Sequence, residues 1–436
     1  MEAKKMRLSV TMLAGFQWLF FLFANTVVIP ISVGAAFEMD QVEIVSAIQR
    51  SFIVTGVACI LQGFIGHRLA LMEGQSGLWW GVILSLASTA SAMGLELTAV
   101  GGSIAVGAML SGALVAVFGL LGIAEILKKW FTPAVMFVFL LLLANQLISI
   151  FLKGMVGLST GDVIDLRMTI FSFTLAAFTI LVHVKGNRIL SSMNLLIGMV
   201  VGWCAAALLF PGETVEAIHT TPFRTWFPLG DPTLEWGIVV TVTVTGLLNT
   251  TNSVATLKGA EDIFEKETTR FQYRSSFFIT GIFTTLAGML GLVPYAPYAS
   301  SLGLLQSTGI RERAPFFIGS ALFVFLGLMP DLTAFFSTIP PSVGNTVLFV
   351  AYLQLFRSAL RNVEGLSFDP KTIYRVALPS LVGLSIMMMP IEVFSELPEL
   401  LQPLLSNGLL MGILAVLLME LFYWFGPRIP RLAIKK

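Results

Sequence analysis

Long runs of apolar residues, separated by short polar stretches, recur along the whole chain. A helix needs roughly 20 mostly apolar residues to cross the hydrocarbon core of a bilayer, and most of the runs reach or approach that length. The pattern therefore predicts about fourteen membrane helices and leaves no segment for a separate soluble domain. We place these helices near residues 9–31, 42–64, 69–90, 98–124, 131–152, 168–184, 192–210, 236–257, 276–293, 297–306, 314–330, 331–353, 372–390 and 404–425.

The loop charges give these helices a direction. Lys and Arg accumulate on the cytoplasmic side of short membrane loops, and 22 of the 26 basic residues fall in alternate loops on one side, together with both termini. The exceptions are Arg50, Lys153, Arg167 and Arg224. Both termini are therefore expected in the cytoplasm. Arg50 is near the outer end of the second helix, where we expect its side chain to reach toward the membrane interface.

The chain also resembles itself at an offset of 208 residues. The stretch S-G-A-L-V-A-V-F-G-L-L from Ser111 then lies over G-S-A-L-F-V-F-L-G-L-M from Gly319, and Pro133 meets Pro341 at the start of the following helix. By the loop charges the matched helices run in opposite directions, as an inverted repeat requires. We therefore predict an all-α membrane protein with two inverted sets of seven helices, spanning 1–211 and 236–436 and joined by an extracellular loop at 212–235.

Composition agrees with a protein that has the bilayer as its solvent. Apolar residues make up 56% of the chain and charged residues only 12%, which fits no ordinary soluble class. The net charge of +1 gives no basic surface for a nucleic acid. Cys59 and Cys204 lie in apolar runs and the three histidines are scattered, so neither a disulfide framework nor a metal site is predicted. The chain has no Walker motif and no nucleophile with a His and acidic partner, which argues against ATP-driven pumping, enzyme activity and a bound cofactor.

Two segments at equivalent places in the two halves are predicted to interrupt their helices. The first is E-G-Q-S-G from Glu73 to Gly77, where two glycines allow a close approach of the backbone and Gln75 and Ser76 offer hydrogen bonds. The second is G-L-V-P-Y-A-P-Y-A-S-S from Gly291 to Ser301, whose prolines prevent a continuous helix. An extended piece that enters a short helix fits both segments. In inverted-repeat transporters such broken helices form the solute site near the midplane of the membrane.

The eighth predicted helix is the most polar of the set. Asn249 and Ser253 are four residues apart and share a face, with Asn252 beside them. Unpaired amides in hydrocarbon cost several kcal/mol, so these side chains must face protein or a cavity. Hydrogen bonding between helices is the alternative interpretation. Gln17 and Asn25 in the first helix and Asn345 in the twelfth are expected near the same cavity.

The order of these features matches a known family over nearly the whole chain. The matching segments are Gln17-Trp18, T-V-V-I-P ending at Pro30, G-Q-S from Gly74, Lys128-Lys129 before Pro133, Arg274-Ser275, and Ile339-Pro340 to Gly344. In these features the chain resembles the xanthine/uracil permease family, the nucleobase–ascorbate transporters. The resemblance implies fourteen spans in two inverted sets, a core domain that holds the solute and a gate domain. It also implies a plasma-membrane protein that pairs into a homodimer through the gate domain.

The chain departs from the family at its carboxylates. The family's glutamate in the eighth span aligns with Asn249, and the position that assists proton coupling aligns with Ser253. In the tenth span the family's Glu or Gln aligns with Ser300, after Tyr298 and Ala299. An Asn offers one acceptor and one donor group where a carboxylate offers only acceptors, so the recognised edge of the solute should differ. No residue at these places titrates near neutral pH, which argues against proton coupling there.

We expect a secondary transporter that moves a nucleobase or a similar small neutral heterocycle by alternating access. The coupling ion, proton or sodium, is left open. The alternatives are an anion carrier of related architecture, for a carboxylate or sulfate, and a membrane sensor that does not transport. The residues expected to bind the solute are Asn25, Gln75, Ser76, Gly77, Asn249, Asn252, Ser253, Tyr298, Ala299 and Ser300.

Overall fold

The structure is a computed structural model. It describes residues 7–91, 93–123, 132–158, 163–187, 190–191, 193–210, 221–223, 225–364, 367, 369–394, 396–398 and 400–425. Both ends of the chain, the Lys128-Lys129 pair, Arg224 and residues 212–220 of the expected extracellular loop lie outside these residues. The expectations placed on them therefore stay predictions.

Helices make up most of the described chain, with two three-residue strands among them. In chain order the elements are α1 Leu8–Thr26, α2 Val28–Ala36, α3 Gln41–Phe64, β1 Glu73–Gln75, α4 Gly77–Thr89, α5 Leu97–Leu121, α6 Pro133–Met155, α7 Leu166–Lys185, α8 Asn194–Leu209, α9 Trp236–Phe264, α10 Arg270–Leu290, β2 Tyr295–Pro297, α11 Ser300–Thr308, α12 Arg313–Gly327, α13 Pro330–Ser337, α14 Pro341–Val363, α15 Pro370–Met388, a 3₁₀ turn Ile391–Phe394, α16 Gln402–Leu405 and α17 Gly408–Phe425.

Each of the fourteen predicted segments has a counterpart in this order. Within the described residues, seven helices are long and apolar enough to cross a membrane by themselves, or eight if the bent pair α12–α13 counts as one. The others are shorter apolar helices such as α4, α8 and α17, or more polar ones. The two predicted broken segments are extended strands that lead into the short helices α4 and α11, so this prediction is confirmed.

The prediction of one continuous helix over 331–353 is wrong. The chain instead forms α13, breaks before Pro340 and begins α14 at Pro341. A proline lacks a backbone N–H and restricts the residue before it to extended conformations, so two successive prolines end one helix and open the next. The axes of α12 and α13 meet at 93°.

The expectation that Arg50 reaches the membrane interface is also wrong. Its side chain is fully buried, forms an ion pair with Glu43 at 2.6 Å and donates to Ser46 Oγ at 2.8 Å. It also donates to the backbone carbonyl of Pro222 at 3.3 Å. The segment at 221–223 covers the outer end of α3, so Arg50 is a buried anchor for the connection between the halves.

The helices form two bundles. The core bundle contains α1–α5 and α9–α13, and the gate bundle contains α6–α8, α14, α15 and α17. Contacts repeat between the halves, because α5 packs on α10 as α12 packs on α3, and α9 packs on α5 as α1 packs on α12. In the gate bundle α6 packs on α14, and both helices begin with proline and contain 23 residues. The two helices are displaced by the 208 residues that the internal resemblance predicts.

Small residues allow a close helix contact in the core bundle, between α5 and α10. A side chain at Gly281 would place its first carbon 2.6 Å from the Gly112 carbonyl oxygen. A side chain at Gly119 would meet the Arg274 carbonyl oxygen at 2.7 Å. Membrane helices gain little from hydrophobicity against lipid and depend on such close backbone packing.

Candidate functional site

The two broken segments cross each other at the centre of the core bundle. β1 and β2 pair antiparallel, with Gly74 opposite Ala296. Two further backbone bonds extend the pairing, from Ser76 N to Pro294 O and from Tyr298 N to Met72 O, both at 2.8 Å. Because the strands are antiparallel, α4 and α11 leave the pair at opposite ends. Both helices therefore have their N-terminal N–H groups beside the crossing, and neither has a side-chain N-cap hydrogen bond.

An amide–hydroxyl cluster joins α9 to both segments. Ser76 Oγ donates to Asn249 Oδ1 at 2.6 Å, and Asn252 Nδ2 donates to the same oxygen at 3.0 Å. On its other side Asn249 Nδ2 donates to the Tyr295 carbonyl oxygen at 3.0 Å. Ser76 and Asn249 are buried, whereas Asn252 is half-buried. Asn249 thus acts as a brace between the two crossing segments.

The outer edges of the two strands find partners in side chains. Thr256 Oγ1 donates to the Pro297 carbonyl oxygen at 3.2 Å, and Ser301 Oγ accepts from Met72 N at 3.0 Å. The thiol of Cys59 lies 3.3 Å from Glu73 N. Away from water, each backbone group left unpaired at an open strand edge costs several kcal/mol. These side chains supply hydrogen bonds to the backbone groups at the edges. Sequence reasoning missed Thr256, Ser301 and Cys59 in this role.

The gate bundle forms the wall opposite the start of α4. A side chain at Gly77 would place its first carbon 3.1 Å from Leu147 Cδ1 on α6 and 3.2 Å from the Tyr352 hydroxyl on α14. Tyr298 lies close by, and its hydroxyl donates to the Gln75 carbonyl oxygen. Sequence reasoning missed Tyr352, because nothing local in α14 indicates which turn meets the other bundle.

The predicted residues divide into two groups. Six belong to the amide cluster or to the contacts around Tyr298 and the start of α4: Asn25, Ser76, Gly77, Asn249, Asn252 and Tyr298. Ala299 and Ser300 are exposed at the start of α11, and Ser253 is buried one turn from Asn249. Gln75 instead donates to Ser51 Oγ on α3 at 3.0 Å, away from the amide cluster. Which of these residues contact a solute stays a prediction.

A buried carboxylate lies on β1, one of the two crossing strands. Glu73 has no exposed surface. Its Oε1 accepts a hydrogen bond from Thr280 Oγ1 at 2.6 Å, and its Oε2 has no hydrogen-bond partner among the described residues. The signal for this acid was its position in a segment already predicted to be extended between two membrane helices.

Comparisons with known proteins agree with this architecture. The sequence profile of the Permease family matches residues 9–392. The putative purine permease YwdJ of Bacillus subtilis (strain 168) is 27% identical over 427 residues, which cover 94% of this chain and 95% of that protein. The nucleobase transporter PlUacP of Paenibacillus larvae is 23% identical over 429 residues, which cover 97% of this chain and 96% of that protein.

Among solved structures, the transmembrane domain of a cyanobacterium bicarbonate transporter, BicA, superposes with a TM-score of 0.62. The match is 13% identical and covers 94% of this chain and 97% of that one. At this identity the likeness shows the shared fold, a membrane bundle with inverted repeats, and not a shared solute.

Proposed function

Since the chain belongs to the Permease family, the xanthine/uracil permeases, we propose that it is a secondary transporter for a nucleobase or a similar small neutral heterocycle. The observation that carries this proposal is the amide–hydroxyl cluster beside two uncapped half-helices at the crossing of β1 and β2. Carbonyl and N–H groups alternate around the edge of such a heterocycle. A protein that binds this edge must place hydrogen-bond donors and acceptors next to each other, and this site supplies both.

The solute contacts are proposed on the open side of the crossing. Asn252 is half-buried and has acceptor and donor groups on one amide, and Ser300 is exposed at the start of α11. The N–H groups that begin α4 at Gly77 supply further donors, and Tyr352 faces them from the gate bundle. Asn249 is proposed to hold the site in shape, since its amide already serves three partners.

Transport is proposed to occur by rocking of the gate bundle against the core bundle. The contact of Tyr352 and Leu147 with the start of α4 would open and close on this movement. The distribution of basic residues supports both termini in the cytoplasm, and the family resemblance supports the plasma membrane. A homodimer through the gate bundle is proposed from the family resemblance.

The test combines binding with flux. The purified protein is screened by thermal unfolding against xanthine, uracil, related heterocycles and small anions, because a ligand that binds the folded state raises its melting temperature. The stabilising solutes are then followed as radiolabelled uptake into proteoliposomes. Heterocycles should stabilise the protein and enter the vesicles. Stabilisation by anions alone would overturn the proposal in favour of an anion carrier, and binding without flux would favour a sensor.

A matched pair of variants tests the site. Asn252→Ala should lower uptake by about tenfold, since it removes roughly one well-made hydrogen bond to the solute. Asn145→Ala on α6 removes the same group outside the site, where its amide donates to Met387 Sδ at 3.5 Å, and should leave uptake unchanged. Equal uptake by both variants would place the solute elsewhere.

A further inference from the structure

Glu73 occupies a site that is unusual for a carboxyl group. It lies on β1 with its side chain fully buried between α3 and α10, and its one strong hydrogen bond comes from Thr280. The titratable groups that face it are the Cys59 thiol from α3 and the Tyr295 phenol from β2. Helix α10 presents Thr280 and Ser276 to this space and has its charged residues in its first two turns, and α1 contains no titratable side chain.

No positive charge compensates the carboxyl group. In the described part of the chain, no Lys, Arg or His side chain forms an ion pair with Glu73. An ionised carboxylate buried without a partner costs several kcal/mol, whereas a neutral carboxylic acid needs only one donor and one acceptor contact. The closed arrangement supplies one donor from Thr280 and no cation, which disfavours the ionised form more than the neutral acid. The ionised form requires water, and hence an opening between α3, α10 and β1.

A row of polar groups leads from this carboxyl group toward the cytoplasmic end of α3. Gln62 Nε2 donates to Thr280 Oγ1 at 3.0 Å, and Gln62 Oε1 accepts from the backbone N–H of His67 at 3.4 Å. Gln272 Nε2 then donates to the His67 carbonyl oxygen at 2.6 Å. The row ends in the loop that carries Arg68, on the side to which the loop charges assign the cytoplasm. Amide and backbone N–H groups do not relay protons, so a proton that leaves Glu73 toward that side needs water to enter along this row.

The same strand connects Glu73 to the proposed solute site. β1 contains only three residues, and the next residue, Ser76, donates to Asn249 in the amide cluster. Any shift of β1 that hydrates Glu73 must therefore move Ser76 and the start of α4. A proton on Glu73 and a solute at the crossing would then bias the same movement, and such coupling is reciprocal by thermodynamic necessity.

We propose that Glu73 is the proton-binding site that couples solute movement to the proton gradient in this protein. The inference rests on the proposed transport function. The carboxylate takes up one proton from the outer solution when the solute binds, and the neutral acid releases that proton to the cytoplasm after the bundles have rocked. No covalent bond other than the O–H bond forms or breaks. Proton coupling thus comes from β1 and not from the positions of Asn249, Ser253 and Ser300.

The experiment uses the full-length protein in proteoliposomes with radiolabelled xanthine and uracil. A pH gradient of about two units, alkaline inside, can support up to ~100-fold accumulation at one proton per solute. The wild type should accumulate solute well above the outside concentration. Glu73→Gln keeps the shape of the side chain but takes up no proton, so its accumulation ratio should fall to about one while counterflow exchange stays within about threefold of the wild type. The control Glu96→Gln, at an exposed acid before α5, should accumulate like the wild type.

Each outcome decides one question. Undiminished accumulation by Glu73→Gln overturns the coupling proposal, as does wild-type accumulation that does not respond to the pH gradient. Absence of wild-type counterflow with every heterocycle of the panel would instead overturn the proposed transport function.

Infrared spectroscopy then tests the proton site alone. A carboxylic-acid band that disappears on alkalinisation and is missing in Glu73→Gln supports it, and absence of that band in the wild type overturns it. Should Glu73→Gln fail to fold, Thr280→Val must shift the pH optimum of uptake, and an unchanged optimum overturns the proposal.

Discussion

The brace formed by Asn249 allows a quantitative test of how the crossing is held together. Asn249→Ala removes an amide that accepts from Ser76 and Asn252 and donates to the Tyr295 carbonyl oxygen. The Tyr295 carbonyl would be left unpaired in a buried place, whereas the Ser76 hydroxyl would keep the contact from Asn252 Nδ2 at 3.3 Å. A stranded polar group costs about 1–3 kcal/mol and a lost hydrogen bond about 1 kcal/mol, so the variant should lose roughly 2–4 kcal/mol of stability.

A double-mutant cycle isolates the single contact between Ser76 and Asn249. Both side chains are buried and the two atoms are 2.6 Å apart. Measured side-chain hydrogen bonds between membrane helices average about 0.6 kcal/mol and reach about 1.7 kcal/mol. This short bond belongs near the upper end, so the coupling free energy between Ser76→Ala and Asn249→Ala should be about 1–1.5 kcal/mol.

The assay is equilibrium unfolding in detergent of the wild type, both single variants and the double variant. Ser172→Ala on α7 is the matched control, because its buried hydroxyl has no hydrogen-bond partner among the described residues and its removal should change stability by less than about 0.5 kcal/mol. A coupling free energy below about 0.3 kcal/mol would refute the brace. The same variants, tested for stabilisation by solute, separate a bracing role from direct contact.

Three further predictions concern other parts of the fold. Gly281→Val should force α5 and α10 apart, because its first carbon would lie 2.6 Å from the Gly112 carbonyl oxygen, and lower stability in detergent by about 1–3 kcal/mol or more; an unchanged melting temperature would contradict the packing. Arg50→Met should lose about 1–3 kcal/mol, because the half-buried Glu43 loses its ion-pair partner, and Arg50→Met with Glu43→Gln should regain part of it, so equal unfolding midpoints of both variants would contradict the ion pair. Burial lowers the pKa of His67 to about 3, so below the unfolded pKa of about 6.5 only the unfolded chain gains a proton. The folded state should lose about 1.4 kcal/mol at about pH 5.5, and His67→Asn should remove this acid sensitivity from the melting curve, whereas an unchanged pH slope would contradict it.

Much of the architecture could be predicted because it depends on local signals. Apolar runs mark the helices, and the offset that relates Pro133 to Pro341 indicates the inverted repeat. The glycines around Glu73 and the prolines at 294 and 297 mark the two broken segments. Each of these features acts on the backbone within a few residues, so a single sequence carries it.

The remaining features depend on contacts between distant parts of the chain. Hydropathy does not show that residues 221–223 cover Arg50, or that Tyr352 meets Gly77. The depth of Glu73 follows from the crossing of two strands that are more than 200 residues apart in sequence. The sequence indicated that Asn249 is important, but its role as a brace required the position of the Tyr295 carbonyl group.

The side chains that satisfy the strand edges have a consequence for how this protein could change its cargo. Asn249, Thr256 and Ser301 each form a hydrogen bond with a backbone group of the crossing. Replacing one of them would therefore lower the stability of the crossing. Among the described hydrogen bonds, none joins the side chain of Ser300 or Tyr352 to β1 or β2. Specificity and stability are thus assigned to different residues at one place, and a new cargo could be accommodated by a few exchanges at the open side while the centre stays intact.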